Sequence, residues 1–240
     1  MTTDTPEEAP LLSNRTLRRA TAAVVLLVAL MAAVNLAGHW AGERIALAGH
    51  TDSTEIFAIT VGQDRLELPA NVIRFPQARV SGPADRIDLY LAWPDMTGYG
   101  TNNSATFNET DRPGRIIFLH LSQSTMSRDM SGRLDPIYRG LFEGQPTTFD
   151  AGLSLHRLRL DSGYNGEVML TGKRDGEADY AVRCILATEY RPASNADCQR
   201  DIFVGRDLSV LYRFSSTLLP EWREIDEAVR RYVEQRLARQ

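Results

Sequence analysis

Lysine is almost missing from this chain of 240 residues: Lys173 stands alone among 27 basic residues, and the rest are arginines. Arginine codons are rich in G and C, so the bias points to a bacterial genome of that composition rather than to a site. Net positive charge is missing as well, since 31 acidic residues leave a formal charge of −4. That argues against a strongly basic nucleic-acid binder, and no nucleic-acid partner is expected. Aromatics are only 8% of the chain, yet its 43% hydrophobic content suits a protein that buries one core. A disordered tail protein and a polytopic transporter are both excluded on composition.

Catalytic signatures are equally scarce. The chain has no Gly-x-Gly-x-x-Gly, Walker, Gly-x-Ser-x-Gly or Cys-x-x-Cys sequence. Its four histidines, His39, His50, His120 and His156, form no His-x-x-x-His or His-x-x-Glu pair. No cofactor, metal or catalytic residue is therefore assigned. His120 reads as a hydrogen-bonded histidine on the apolar face of its strand.

What the chain does have is one long apolar run. Residues 20–38 carry no charge, and at 1.5 Å per residue a helix of that length crosses a hydrocarbon core of about 30 Å. His39 and Trp40 follow, and an indole at that depth is a usual interfacial anchor. Arg15, Arg18 and Arg19 precede the run, whereas Arg44 follows it beside Glu43. The positive-inside rule then places the N-terminus in the cytoplasm and the remainder outside. A cleaved signal peptide is the competing reading, but its apolar core is shorter, and Ala46-Leu47-Ala48 lies well past this one. The expected organisation is a cytoplasmic tail over 1–19, a transmembrane helix over 20–38 in contact with the lipid bilayer, a spacer over 39–54, and an exported domain over 55–240.

In that domain the dominant period is two. Ile87, Leu89, Leu91 and Trp93 alternate with Arg86, Asp88 and Tyr90, which describes a half-buried strand. Ile56–Val61 and Leu66–Leu68 flank a Gly62-Gln63-Asp64 turn as a hairpin. Residues 115–121 are apolar on both faces, as a central strand would be. Leu153 and Leu155 slip register to Leu158 and Leu160, so a bulge is expected near His156-Arg157. Further runs at 168–170, 180–186, 201–204 and 208–214 extend the meander. The expected fold is mainly β, a sandwich or open barrel-like antiparallel sheet. Two helices interrupt it. One is expected over 131–142, beginning near Leu134 because Pro136 falls in its second turn. The other is a C-terminal amphipathic helix after Pro220, with a stripe of Trp222, Ile225, Val229, Tyr232, Val233 and Leu237 packed on the sheet.

Cys184 and Cys198 are the only cysteines and both lie in the exported part, so a disulfide stapling the loop between them is expected. The polar stretch 98–114 is long for a connection inside a compact domain. Its Tyr99, Asn102, Asn103 and Asn108 are candidate binding residues, suited to a glycan or a peptide by neutral hydrogen bonding. The leading functional expectation is a membrane-anchored envelope protein acting through a periplasmic binding or scaffold domain, an accessory subunit of a membrane assembly with a protein partner. The alternatives are an envelope hydrolase, drawing on Asp95, Glu109, Asp111 or Asp129, and a small-ligand receptor domain.

Overall fold

The computed structural model describes residues 14–46, 49–108 and 113–238, and it divides into two compact units, Met1–Gly49 and His50–Gln240. In the first unit one helix, α1, runs over Asn14–Ala46. Its large apolar side chains from Val24 to Val34 are 59–73% exposed. Among the described residues no helix is long and apolar enough to cross a membrane. The assignment of a span to 20–38 extends past the side chains described in that stretch, which are those of 21–34.

The second unit is mainly β. It contains β1 (Ile56–Val61), β2 (Asp64–Pro69), β3 (Gly82–Pro83), β4 (Arg86–Ala92), a short helix α2 (Ser104–Asn108) and β5 (Ile116–Gln123). Then follow β6 (Phe142–Thr148), β7 (Leu153–Leu158), β8 (Val168–Gly172), β9 (Tyr180–Cys184), β10 (Cys198–Val204), β11 (Leu208–Phe214) and α3 (Trp222–Glu234). Eight strands form one antiparallel sheet in the order β4-β5-β11-β10-β9-β8-β7-β6, and β2-β1-β3 form a small second sheet. The large sheet keeps two edges, β4 and β6, so it is open rather than closed.

Register explains which face is buried. Ile87, Leu121, Val210 and Ile202 lie opposite one another across β4, β5, β11 and β10, as do Leu89, Leu119, Tyr212 and Arg200. With period-two alternation these rows share one face. They merge into a single core with Ile59, Leu66 and Leu68 of the small sheet and Trp222, Ile225 and Val229 of α3. Two hairpin turns lock the sheets together. Asp64, after Gly62-Gln63, accepts hydrogen bonds from the backbone N–H groups of Arg206 and Asp207, while Asp207 accepts from Gln63 N at 2.9 Å. Each carboxylate approaches the other turn where it places a glycine with positive φ, Gly205 at +70° and Gly62 at +58°. A Cβ would lie 2.5 Å from Asp64 at Gly205 and 2.8 Å from Asp207 at Gly62, so no larger residue fits either turn.

Three expectations need correction. The helix over 131–142 is instead a series of turns ending in a 3-10 segment over Tyr138–Leu141, after which Phe142 begins β6. Pro136 denies the interior N–H that a continuous helix needs. The apolar residues still pack, because Met130, Leu134 and Tyr138 form a second core with Leu158, Met169 and Ala181. The break in pairing near His156-Arg157 is present in the β6–β7 ladder, but β7 is not the bulged strand, since it pairs with β8 in unbroken register from Leu153 to Arg157. The irregularity lies across the ladder, on β6 between Glu143 and Thr147. Leu153 faces the first core and Leu158 the second, so a strand covered on both faces mimics a register slip. Finally, α3 is entered through a 3-10 turn over Ser216–Glu221 that contains Pro220 and is capped by the Ser215 hydroxyl.

Candidate functional site

Loop 98–108 is organised around Tyr99, which is buried although it sits in a polar stretch. Tyr99 N donates to Asn71 O at 2.9 Å, and Asn71 Nδ2 returns a bond to Tyr99 O at 2.9 Å. His50 stacks on the Tyr99 ring at 4.7 Å between centroids, and Phe107 of α2 meets Tyr90 edge-on at 4.9 Å. His50 Nδ1 and the Tyr90 hydroxyl are 2.9 Å apart. Burial lowers the His50 pKa, the Arg79 charge adds to that, and a hydrogen bond with Asn108 opposes it. The last residues read as spacer therefore carry contacts with the domain: His50 packs on Tyr99, and Ser53 O accepts from Asn71 N.

The four candidate binding residues separate by role. Asn103 is spent on the loop itself, with Oδ1 accepting from Gly100 N at 2.7 Å and Nδ2 donating to Gly98 O at 3.0 Å. Tyr99 anchors, and Asn108 bonds to His50. Asn102 is exposed. Tyr99, Asn102 and Asn103 line one cleft of about 370 Å³ together with Asp52, Tyr232 and Arg236; Asn108 is not among its lining residues. The Arg236 guanidinium lies 4.7 Å over the Tyr232 ring. Burial pushes the Tyr232 hydroxyl up to about 12, against the neighbouring Arg236 charge. This cleft offers amide, carboxylate and guanidinium groups on an aromatic wall, which suits recognition by hydrogen bonding.

The other singled-out residues lie elsewhere. Cys184 and Cys198 form a disulfide between directly opposed positions of β9 and β10. At the base of the stapled loop Asp197 accepts from the N–H and hydroxyl of both Ser194 and Ser216. Burial works to raise its pKa, but these four bonds hold it below the usual carboxylate range. His120 is not on the apolar face: register puts it with Asp88 on the opposite, partly solvated one, with Nδ1 2.8 Å from Asp88 Oδ1. His156 Nε2 meets Thr171 Oγ1 at 2.9 Å, and its ring stacks on Phe142. Asp129 caps its own turn by accepting from Gly132 N, Asp95 is exposed, and Glu109 and Asp111 lie outside the described residues. Among the described residues no group of three His, Cys, Asp or Glu could hold a metal ion.

A buried polar network escaped the sequence reading. Arg200 is 1% exposed on the apolar face of β10. It donates through Nε to Asp226 Oδ1 at 2.7 Å and through Nη1 to Ser131 Oγ and Ala181 O. Tyr212 donates to the same Asp226 oxygen at 2.6 Å, and Arg174 reaches Oδ2 at 2.5 Å. Burial alone would raise the Asp226 pKa, yet the two guanidiniums and the Tyr212 hydroxyl hold it low. The network ties α3 to the sheet. Its one trace in the sequence is Asp226, an acid four residues after Trp222 on the apolar stripe.

No family model and no curated protein matches this chain. Among solved structures it is similar to an immunity protein of the Stenotrophomonas maltophilia type IV secretion system, at a TM-score of 0.50 and 15% identity, covering 79% of this chain and 95% of that one. It is also similar to an iron-regulated outer membrane lipoprotein of Neisseria meningitidis, at a TM-score of 0.44 and 10% identity over 78% of this chain and 95% of the other. The first likeness is one of fold alone.

Proposed function

We propose that this chain is a single-pass protein of a bacterial inner membrane, with its N-terminus cytoplasmic, whose periplasmic β-rich domain works by binding a protein partner as a scaffold or accessory subunit. The observation that carries the reading is the exposed apolar belt of α1, from Val24 to Val34, set behind Arg15, Arg18 and Arg19. A helix apolar on all sides is stable only when an apolar medium or partner covers it. The arginines set its direction. The Cys184–Cys198 disulfide fits an oxidising compartment on the far side. The cleft beside Tyr99 and Asn102 gives the domain a surface for recognition. The fold it shares with an immunity protein of a secretion system supports binding by analogy of fold.

A reporter fused after Gln240 tests the arrangement. Alkaline phosphatase, which folds only outside the cytoplasm, is expected to be active there, and a fluorescent protein that matures only in the cytoplasm is expected to stay dark. The reverse pattern refutes the topology and with it the envelope assignment.

A further inference from the structure

The second face of the large sheet carries a cavity that loop 98–108 does not line. It measures about 430 Å³ and lies over β4, β5 and β11. Half-buried Phe118 and Leu211 belong to its floor, beside the Asp88–His120 pair. One wall is Arg74, from the segment between β2 and β3, and another is Ala196, from the loop stapled by the disulfide. Arg213 stands directly opposite Phe118 in the β11–β5 register. The Arg74 guanidinium lies 4.9 Å over the Phe118 ring. Phe118 thus has one guanidinium above it and another at the paired position of the neighbouring strand.

Charge decides what fits. Neither Arg74 nor Arg213 is in an ion pair among the described residues, in a chain whose net charge is −4. The one acid in the cavity, Asp88, bonds to His120 Nδ1 and pairs with neither arginine, and its single charge leaves the two guanidiniums in excess. Two guanidiniums beside an aromatic and an aliphatic floor match an oxyanion carried on an apolar body, since the planar fork of arginine pairs with a carboxylate by two parallel hydrogen bonds. The volume lies in the range of small-molecule sites. We propose that this cavity binds a small organic acid, with its carboxylate between Arg74 and Arg213 and its apolar part on Phe118 and Leu211. The site does not depend on the function proposed above.

Equilibrium dialysis of the full chain in phosphatidylcholine nanodiscs, with empty nanodiscs as blank, tests this. The probe is 3-phenylpropionate, compared with its neutral amide, inorganic phosphate and the peptide acetyl-Glu-Phe-Glu-amide. Saturable binding of the acid at one site is expected, with the amide and phosphate weaker by about tenfold or more, because each lacks one half of the recognised chemistry. Arg74→Gln and Arg213→Gln are each expected to weaken the acid by about tenfold, with Arg65→Gln on the distant hairpin as an unaffected control. Arg213 is exposed, so its substitution leaves the melting temperature in place and carries the test should Arg74→Gln disturb the fold. No saturable binding, or equal binding of the amide, overturns the proposal. Phosphate binding as well as the acid reduces the cavity to a bare anion site, and a tighter peptide makes it a protein-docking surface; either result also overturns it.

Discussion

Replacing Trp222 by alanine is the sharpest test of how the domain is held together. Trp222 is 1% exposed at the start of α3, its ring centroid 4.3 Å from that of Tyr180. Its Nε1–H donates to Ala151 O at 3.2 Å, and the Arg223 guanidinium lies 4.1 Å over the ring. Truncating a buried tryptophan costs about 3–5 kcal/mol, and losing the hydrogen bond adds roughly 1 kcal/mol. Against a total of ~5–15 kcal/mol this removes a large share of the stability. At ~2–4 °C per kcal/mol for a domain of this size, the melting temperature is expected to fall by about 10–20 °C. Near-ultraviolet circular dichroism during a thermal scan of the full chain reads the loss of packing directly. A fall of less than about 4 °C refutes the reasoning, since it corresponds to a side chain that packs on nothing. In that case α3 serves as a free interaction helix, and partner co-purification is what the substitution abolishes.

Asp226→Ala leaves the buried Arg200 charge without its acid, and chemical denaturation is expected to show a loss of about 3–5 kcal/mol. The Asp226 pKa is held below its unfolded value of about 3.9, so its stabilisation is present above that pH and is lost as pH falls through the lower folded-state value. An Asp226→Asn variant is accordingly expected to show a shallower acid limb in its stability profile; an unchanged limb contradicts the network. Reduction of the disulfide, which closes a separation of 14 residues, is expected to cost about 3 kcal/mol, read as a lower denaturation midpoint in dithiothreitol. Identical midpoints with and without reductant count against the staple.

The sequence by itself determined the elements with strong periodicity. The hairpin at Ile56–Val61, the strands carrying Ile87–Leu91 and Leu208–Phe214, and the α3 stripe were legible because a half-buried strand or helix writes its one apolar face as a period of two or of three to four. The disulfide was legible because the chain has only two cysteines, which leave a single pairing. Partial legibility marks the loop: its polar composition singled out Tyr99, Asn102, Asn103 and Asn108, but not that Asn103 is consumed by its own turn.

Tertiary structure alone decided the rest, and in each case the reason is a partner distant in the chain. Leu158 looked like a register slip because a second core covers the other side of β7. His120 was assigned to the wrong face because residues 115–121 are apolar at both parities, and only pairing with β4 and β11 shows which side carries Asp88 and Arg213. Arg200 reads as an ordinary strand cation, yet its acid is 26 residues away on α3. Local periodicity records that a side chain is covered, but the identity of what covers it is set by strand order and register, which no short stretch of sequence contains.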